Sequence, residues 1–148
     1  MPDKITLILP LPPKELSPNA RSRWGRIKAT QDYRQDVLDS LFGQPGGRRN
    51  FVHPSKEVRY RMTETYRIAG RRKHDVRNLF AAFKVGEDAL CPPRKTNNGN
   101  WVAGAGILPG DDDSVLEHGA PKIERVTSKK DECVVVEIEE IPLLPYES

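Results

Sequence analysis

A chain of 148 residues with 36% hydrophobic content is long enough for one domain with a modest core and short for two. Its net charge of +3 hides an asymmetry: residues 1–84 carry 18 Lys/Arg against 8 Asp/Glu, and residues 85–148 carry 6 against 13. Such a chain either pairs its halves or offers the basic one to a polyanion, of which nucleic acid is the commonest. Membrane function is set aside, because no run approaches the roughly 20 apolar residues that span a bilayer and the N-terminus has no signal-peptide core. The two cysteines, Cys91 and Cys133, have neither metal-ligand spacing nor disulfide density, which points to a reducing cytoplasm.

In chain order, 4–9 reads as a first strand buried on both faces and ended by Pro10, Pro12 and Pro13. The loop to about residue 28 is rich in arginine. Arg21, Arg23 and Arg26 beside Trp24 suit a phosphate-and-stacking surface, and Trp24 suits equally a lid on the core. From Thr30, the spacing of Tyr33, Val37, Leu38, Leu41 and Phe42 predicts a helix ending near Gly43. Residues 44–50 are turn-rich. Residues 57–68 alternate, with Val58, Tyr60 and Met62 on one side and Arg59, Arg61 and Thr63 on the other, so this strand buries one face and shows a basic stripe on the other. Residues 91–106, rich in Pro, Gly and Asn, read as a surface loop. Lys122–Thr127 and Cys133–Ile141 read as a closing hairpin around residues 128–132. His53 and His118 are isolated and are expected to be ordinary surface or turn residues. The order predicts a single α/β domain over 1–148, with a mixed sheet of about four strands and two main helices.

The chemistry concentrates in 70–90 and 107–119. Arg71, Arg72, Lys73 and His74 run into Asp75, after which the pattern turns helical. Val76, Leu79, Phe80, Phe83 and Leu90 form an apolar stripe, and Arg77, Ala81, Lys84 and Asp88 form a polar face. Asp75 therefore stands at a strand-to-helix junction, where its carboxylate can cap the helix or hold a cation. In the second segment Asp111, Asp112 and Asp113 are adjacent; they repel one another and gain most when a divalent metal or a basic partner lies against them. Each piece alone is ordinary surface. Their combination suggests metal-assisted chemistry on a phosphate backbone.

The succession Asp-x-x-Asn-Leu, Lys-x-x-x-Asp-Ala-Leu, then Gly-Ile-Leu with Asp-Asp-x-x-Val resembles the RusA-type Holliday junction resolvases and their phage-borne endodeoxyribonuclease relatives. The opening strand with its Pro-Pro and Asn-x-Arg segment (5–24) and the closing strand (132–141) resemble the same family, so the likeness is nearly full length and weakest at 43–57 and 92–105. It implies a RusA-like homodimer, bacterial or phage-encoded and cytoplasmic. It implies Mg²⁺-dependent hydrolysis of branched DNA such as four-way junctions, with Mn²⁺ as a substitute. By the same likeness Asp75 and Asp112, with Asp111, are metal ligands and Lys84 is the catalytic lysine. Asn19, Arg21, Arg23, Arg71, Arg72, Lys73 and Arg77 would then contact DNA.

One position departs from the family pattern, for Arg77 stands where a second aspartate is expected. At an effective dielectric of about 20, a +1 charge roughly 4 Å from a +2 ion is disfavoured by about 8 kcal/mol, so Arg77 is not a ligand. Either it turns to a phosphate while Asp111, Asp113, Asp88 or Glu117 completes the metal shell, or the protein is a branched-DNA-binding relative with little cleavage. A remoter reading, an unrelated Mg²⁺-dependent nucleotide-processing enzyme, is disfavoured by the lack of a glycine-rich phosphate loop.

Overall fold

The computed structural model describes residues 4–18, 22–44, 58–70, 75–109 and 116–142. Along the chain these form β1 (Lys4–Leu9), α1 (Arg23–Leu41), β2 (Val58–Ala69), α2 (Val76–Ala82), α3 (Lys84–Leu90), β3 (Arg94–Lys95), β4 (Trp101–Val102), β5 (Leu116–His118), β6 (Lys122–Val126) and β7 (Cys133–Pro142).

β2 is the axis of the fold. Every second residue from Tyr60 to Ile68 is buried and those between are half-exposed, as expected of a strand covered on one face. β7 runs antiparallel along one side of it, from Val58↔Pro142 to Arg67↔Cys133. On its other side β5 and β6 run parallel to it, β5 against Tyr60–Met62 and β6 against Thr65–Ala69. With β1 antiparallel to β7, the described residues form one small α/β domain with a mixed five-stranded sheet. The covered face packs Leu7, Met62, Tyr66 and Val136 with Tyr33 and Val37 of α1 and with Phe83 and Leu90 from the α2–α3 region. No helix among the described residues is long and apolar enough to cross a membrane.

Several elements differ from expectation, each for a local reason. β1 alternates exposed and buried rather than burying both faces, because the helices cover one side of the sheet only. Its outer edge is met at Ile8 by the side chain of Gln44, whose amide accepts from Ile8 N at 2.7 Å and donates to Ile8 O at 2.5 Å, as a ladder partner would. The helix expected from Thr30 starts at Arg23, because the Ser22 hydroxyl accepts from Gly25 N at 3.0 Å and caps it. Trp24 is 81% exposed and Phe42 79%, so neither closes the core. The expected closing hairpin does not form: β6 and β7 both pair with β2 and lie on opposite sides of it. The connection between them passes over the end of β2, where Glu132 Oε2 accepts from Ala69 N at 2.9 Å.

The helix expected after Asp75 is two short helices meeting at Phe83. That residue turns into the core at 1% exposure and sets its ring edge-on to Tyr66, centroids 6.4 Å apart. Gly86 makes room for it, since a Cβ there would lie 2.5 Å from Phe83 Cε2. Residues 91–106, expected to be a loop, hold the β3–β4 hairpin. Its base is strapped to the end of α3 by Ala105 N to Ala89 O at 2.8 Å and Gly106 N to Cys91 O at 3.1 Å.

Candidate active site

The α2–α3 segment leaves β2 by way of Gly70, whose φ of 86° is the left-handed turn a glycine makes without strain. Asp75 then caps α2, its Oδ1 accepting from Arg77 N at 2.8 Å. Both side chains lie on the surface. Of the two roles open to Asp75 the cap is therefore filled, and Arg77 stands in the first turn of the helix that Asp75 heads.

Lys84, the first residue of α3, is half-exposed, with 53% of its side chain accessible. Its Nζ lies 3.1 Å from Glu87 Oε2 and 3.8 Å from Asp88 Oδ1. Asp88 is a helix neighbour of ordinary kind. Glu87 is not, because its side chain is 5% exposed and its other oxygen, Oε1, is 2.6 Å from His118 Nε2. His118 comes from β5, where its pairing with Met62 points it at the helices, and Phe80 meets its ring edge-on with centroids 5.5 Å apart.

Behind this pair lies a second buried carboxylate. Glu64 takes the covered face of β2 between Met62 and Tyr66 and is 2% exposed; Tyr66 donates its hydroxyl to Glu64 Oε1 at 2.5 Å. Burial, and secondarily the charge of Glu87, push the Glu64 carboxyl up to about 7, against the pull of the Tyr66 bond and of Lys84. Burial and the Glu64 charge together hold the Tyr66 hydroxyl far above the usual phenol range. Burial does the same to Tyr33, with Glu64 and Asp36 adding to it. Glu64 and Glu87 are the buried charged residues of the described chain. Glu87 sits against Lys84 and Glu64 is near enough to feel both charges, and burying a carboxylate is costly unless its oxygens are well partnered.

The expected site residues separate into those the structure brings together and those it does not place. Asp75, Arg77 and Lys84 share the α2–α3 segment, and Arg23 opens α1 at the surface. Asn19, Arg21, Arg71, Arg72, Lys73, Asp111 and Asp112 lie outside the described residues, as do His53 and Asp113. Glu117, one of the carboxylates expected to complete a metal shell, instead pairs with Arg61 on the helix-free face, Arg61 Nη2 to Glu117 Oε1 at 3.2 Å. His118 was expected to be an isolated surface residue. It is exposed as expected but not isolated: parallel pairing of β5 with β2 sets its ring over α3, where it partners Glu87.

As a donor for Mg²⁺, Asp75 fits the part of one ligand: its carboxylate is at the surface, and among the described residues its hydrogen bond to Arg77 N is the only one. Mg²⁺ is commonly held by one or two carboxylates with its remaining positions filled by water and phosphate. Among the described residues no group of three His, Cys, Asp or Glu is placed to hold a metal, and Asp111 and Asp112, which the family likeness makes ligands, lie outside them. The sequence matches no protein-family model and no curated protein.

Glu64, Glu87 and His118 are the members of this cluster that sequence reasoning missed. A signal existed for two of them. Glu64 falls in the apolar phase of the β2 alternation, and Glu87 falls four residues after Phe83 on the apolar side of the helix. Carboxylates at core positions are a reason to look for partners.

Proposed function

We propose that this chain is a metal-dependent endodeoxyribonuclease of RusA type that cuts Holliday junctions or related branched DNA, acting as a homodimer in the cytoplasm. The observation that carries this reading is the setting of Lys84. A half-exposed ammonium heads a helix nine positions after the Asp75 cap, seated on a buried carboxylate that is itself bonded to His118. A cation so fixed suits a phosphate on which charge builds during hydrolysis, since preorganised charge needs no reorganisation as the reaction proceeds. Mg²⁺, held by Asp75 with Asp112 and Asp111, would activate the attacking water and neutralise phosphate charge. Arg71, Arg72, Lys73, Arg77 and Arg23, with Asn19 and Arg21, would grip the flanking backbone. A dimer suits the substrate because two symmetric nicks need two sites related by the same axis.

The test is cleavage of a labelled four-way junction with Mg²⁺ or Mn²⁺, paired with a binding titration in EDTA. The wild type should cut, and Asp112→Asn should bind as before while cutting at least ~10² more slowly, as for loss of a group acting in the transition state. If Asp111→Asn is the damaging change instead, the ligand is its neighbour. A second reading, a branched-DNA-binding protein of this fold with weak or lost cleavage, rests on Arg77, whose cation follows two residues behind the Asp75 carboxylate. Tight junction binding by the wild type, with no cleavage under either metal, would select it.

A further inference from the structure

We propose that Glu87, braced by His118, is the positioning residue for Lys84: it fixes the ammonium group at the surface and ties it to β5, the strand that follows the Asp111–Asp113 segment. This rests on the reading of Lys84 as the phosphate-contacting residue. The argument begins from what an unaided lysine would do. On a helix surface its flexible stem leaves the ammonium free among rotamers, and an exposed partner such as Asp88 narrows them little. Glu87 is different in kind. It is 4% exposed, so its placement is costly unless both oxygens are used. Both are used: Oε2 faces Lys84 Nζ, one turn earlier in the same helix, at 3.1 Å, and Oε1 faces His118 Nε2, brought from a distant strand, at 2.6 Å.

The surroundings favour the orientation Glu87 takes. Glu64 lies near enough for the Glu87 charge to raise its carboxyl, so turning inward would bring two carboxyl groups together in the core. His118 is itself held. Its register on β2 is fixed by pairing with Met62, and Phe80 stacks edge-on to its ring. The next residue, Gly119, donates to Met62 O at 2.9 Å and passes so close to β2 that a Cβ would lie 2.6 Å from Thr63 Oγ1. A surface ion pair serving only helix stability would need none of this support. A catalytic side chain does need it, because loosely held groups lose much of their effect.

The experiment combines kinetics with a signal that does not depend on cleavage. Single-turnover cleavage and junction affinity are measured for the wild type, Glu87→Gln, Lys84→Ala and the double variant. Glu87→Gln keeps the side-chain volume and should cut roughly ten-fold or more slowly with unchanged affinity, as when a supporting partner is lost. The double variant should be no slower than Lys84→Ala alone, since a positioning residue has nothing to position once the lysine is gone. His118→Ala should slow cleavage, and His118→Gln, which returns an N–H donor, should restore part of it. Wild-type rates in Glu87→Gln, or a double variant slower by the full product of the two single effects, would overturn the proposal.

In parallel, reductive ¹³C-methylation gives each lysine an NMR signal, with that of Lys84 assigned by its loss in Lys84→Ala. It should move in Glu87→Gln and in His118→Ala, and an unmoved signal also overturns the proposal. If the wild type cuts no branched DNA, the nuclease reading fails separately, and the methyl-lysine signal alone decides whether Glu87 positions Lys84.

Discussion

Glu64 makes a quantitative prediction about stability. Its carboxyl is buried within reach of the Glu87 and Lys84 charges and titrates near 7 in the folded protein, against an ordinary value of 4.5. Below pH 4.5 the group is protonated whether the chain is folded or not, so no contribution is lost. Between pH 4.5 and 7 the unfolded chain gives up this proton while the folded one keeps it. Stability therefore falls as pH rises, by about 1.4 kcal/mol per unit. The loss saturates above pH 7 at about 3 kcal/mol, which is a large share of the roughly 5–15 kcal/mol that holds a domain folded.

Glu64→Gln removes the titration while keeping the volume and an acceptor for Tyr66. Its stability relative to wild type should rise by about 3 kcal/mol between pH 4.5 and 8, read from urea unfolding at several pH values. Other groups titrate in both proteins and cancel to first order in the difference. Parallel curves for the two proteins across that range would refute the reasoning, because they would mean that Glu64 is ionised in the fold at its ordinary value.

Asp75→Asn should separate the two roles of that residue, since asparagine caps a helix as well as aspartate but carries no charge: urea stability should stay within about 0.5 kcal/mol of wild type, while cleavage falls by ~10² or more. Replacing Arg71 and Arg72 by alanine should weaken binding to all branched DNAs and flatten the slope of log K against log[salt] by about 0.9 for each lost phosphate contact; an unchanged slope would make the pair a solvated edge. Arg77→Asp has an outcome of opposite sign under the two readings of the protein. If Arg77 limits metal binding, the new carboxylate tightens Mg²⁺ and raises cleavage, and if Arg77 grips DNA, affinity and activity fall together, so a metal-titrated cleavage assay on both proteins decides.

The parts of the fold that were legible in the sequence are those whose signal is local. The alternation of Val58 to Ile68 gave β2 its face, and Asp75 ahead of Val76 gave α2 its start, because one strand's pleat and one cap are fixed within a few residues. Pairing partners are not local. Two amphipathic segments separated by five residues, 128–132, look like a hairpin, yet β6 and β7 are held apart by β2 between them, which only a long strand elsewhere in the chain can arrange. The early start of α1 was hidden differently, in an arginine-rich stretch read as loop to about residue 28, where Ser22 caps the helix and Gly25 lies in its first turn.

The candidate site divides along the same line. Asp75 stood out as the cap of a helical run and Lys84 as part of its polar face, although the run breaks at Phe83 and Lys84 opens the second helix; the roles expected of them came from the family likeness. What makes Lys84 more than a surface lysine comes from residues 64, 87 and 118, which meet only because β2, α3 and β5 stack with Met62 opposite His118. His118 had no periodic signal, so only the sheet register could assign it. The two glutamates did have one, since each falls in an apolar phase where a carboxylate has no local reason to be. A charged residue that breaks the hydrophobic pattern of a strand and another that breaks the pattern of the following helix could have been read as a pair across the core.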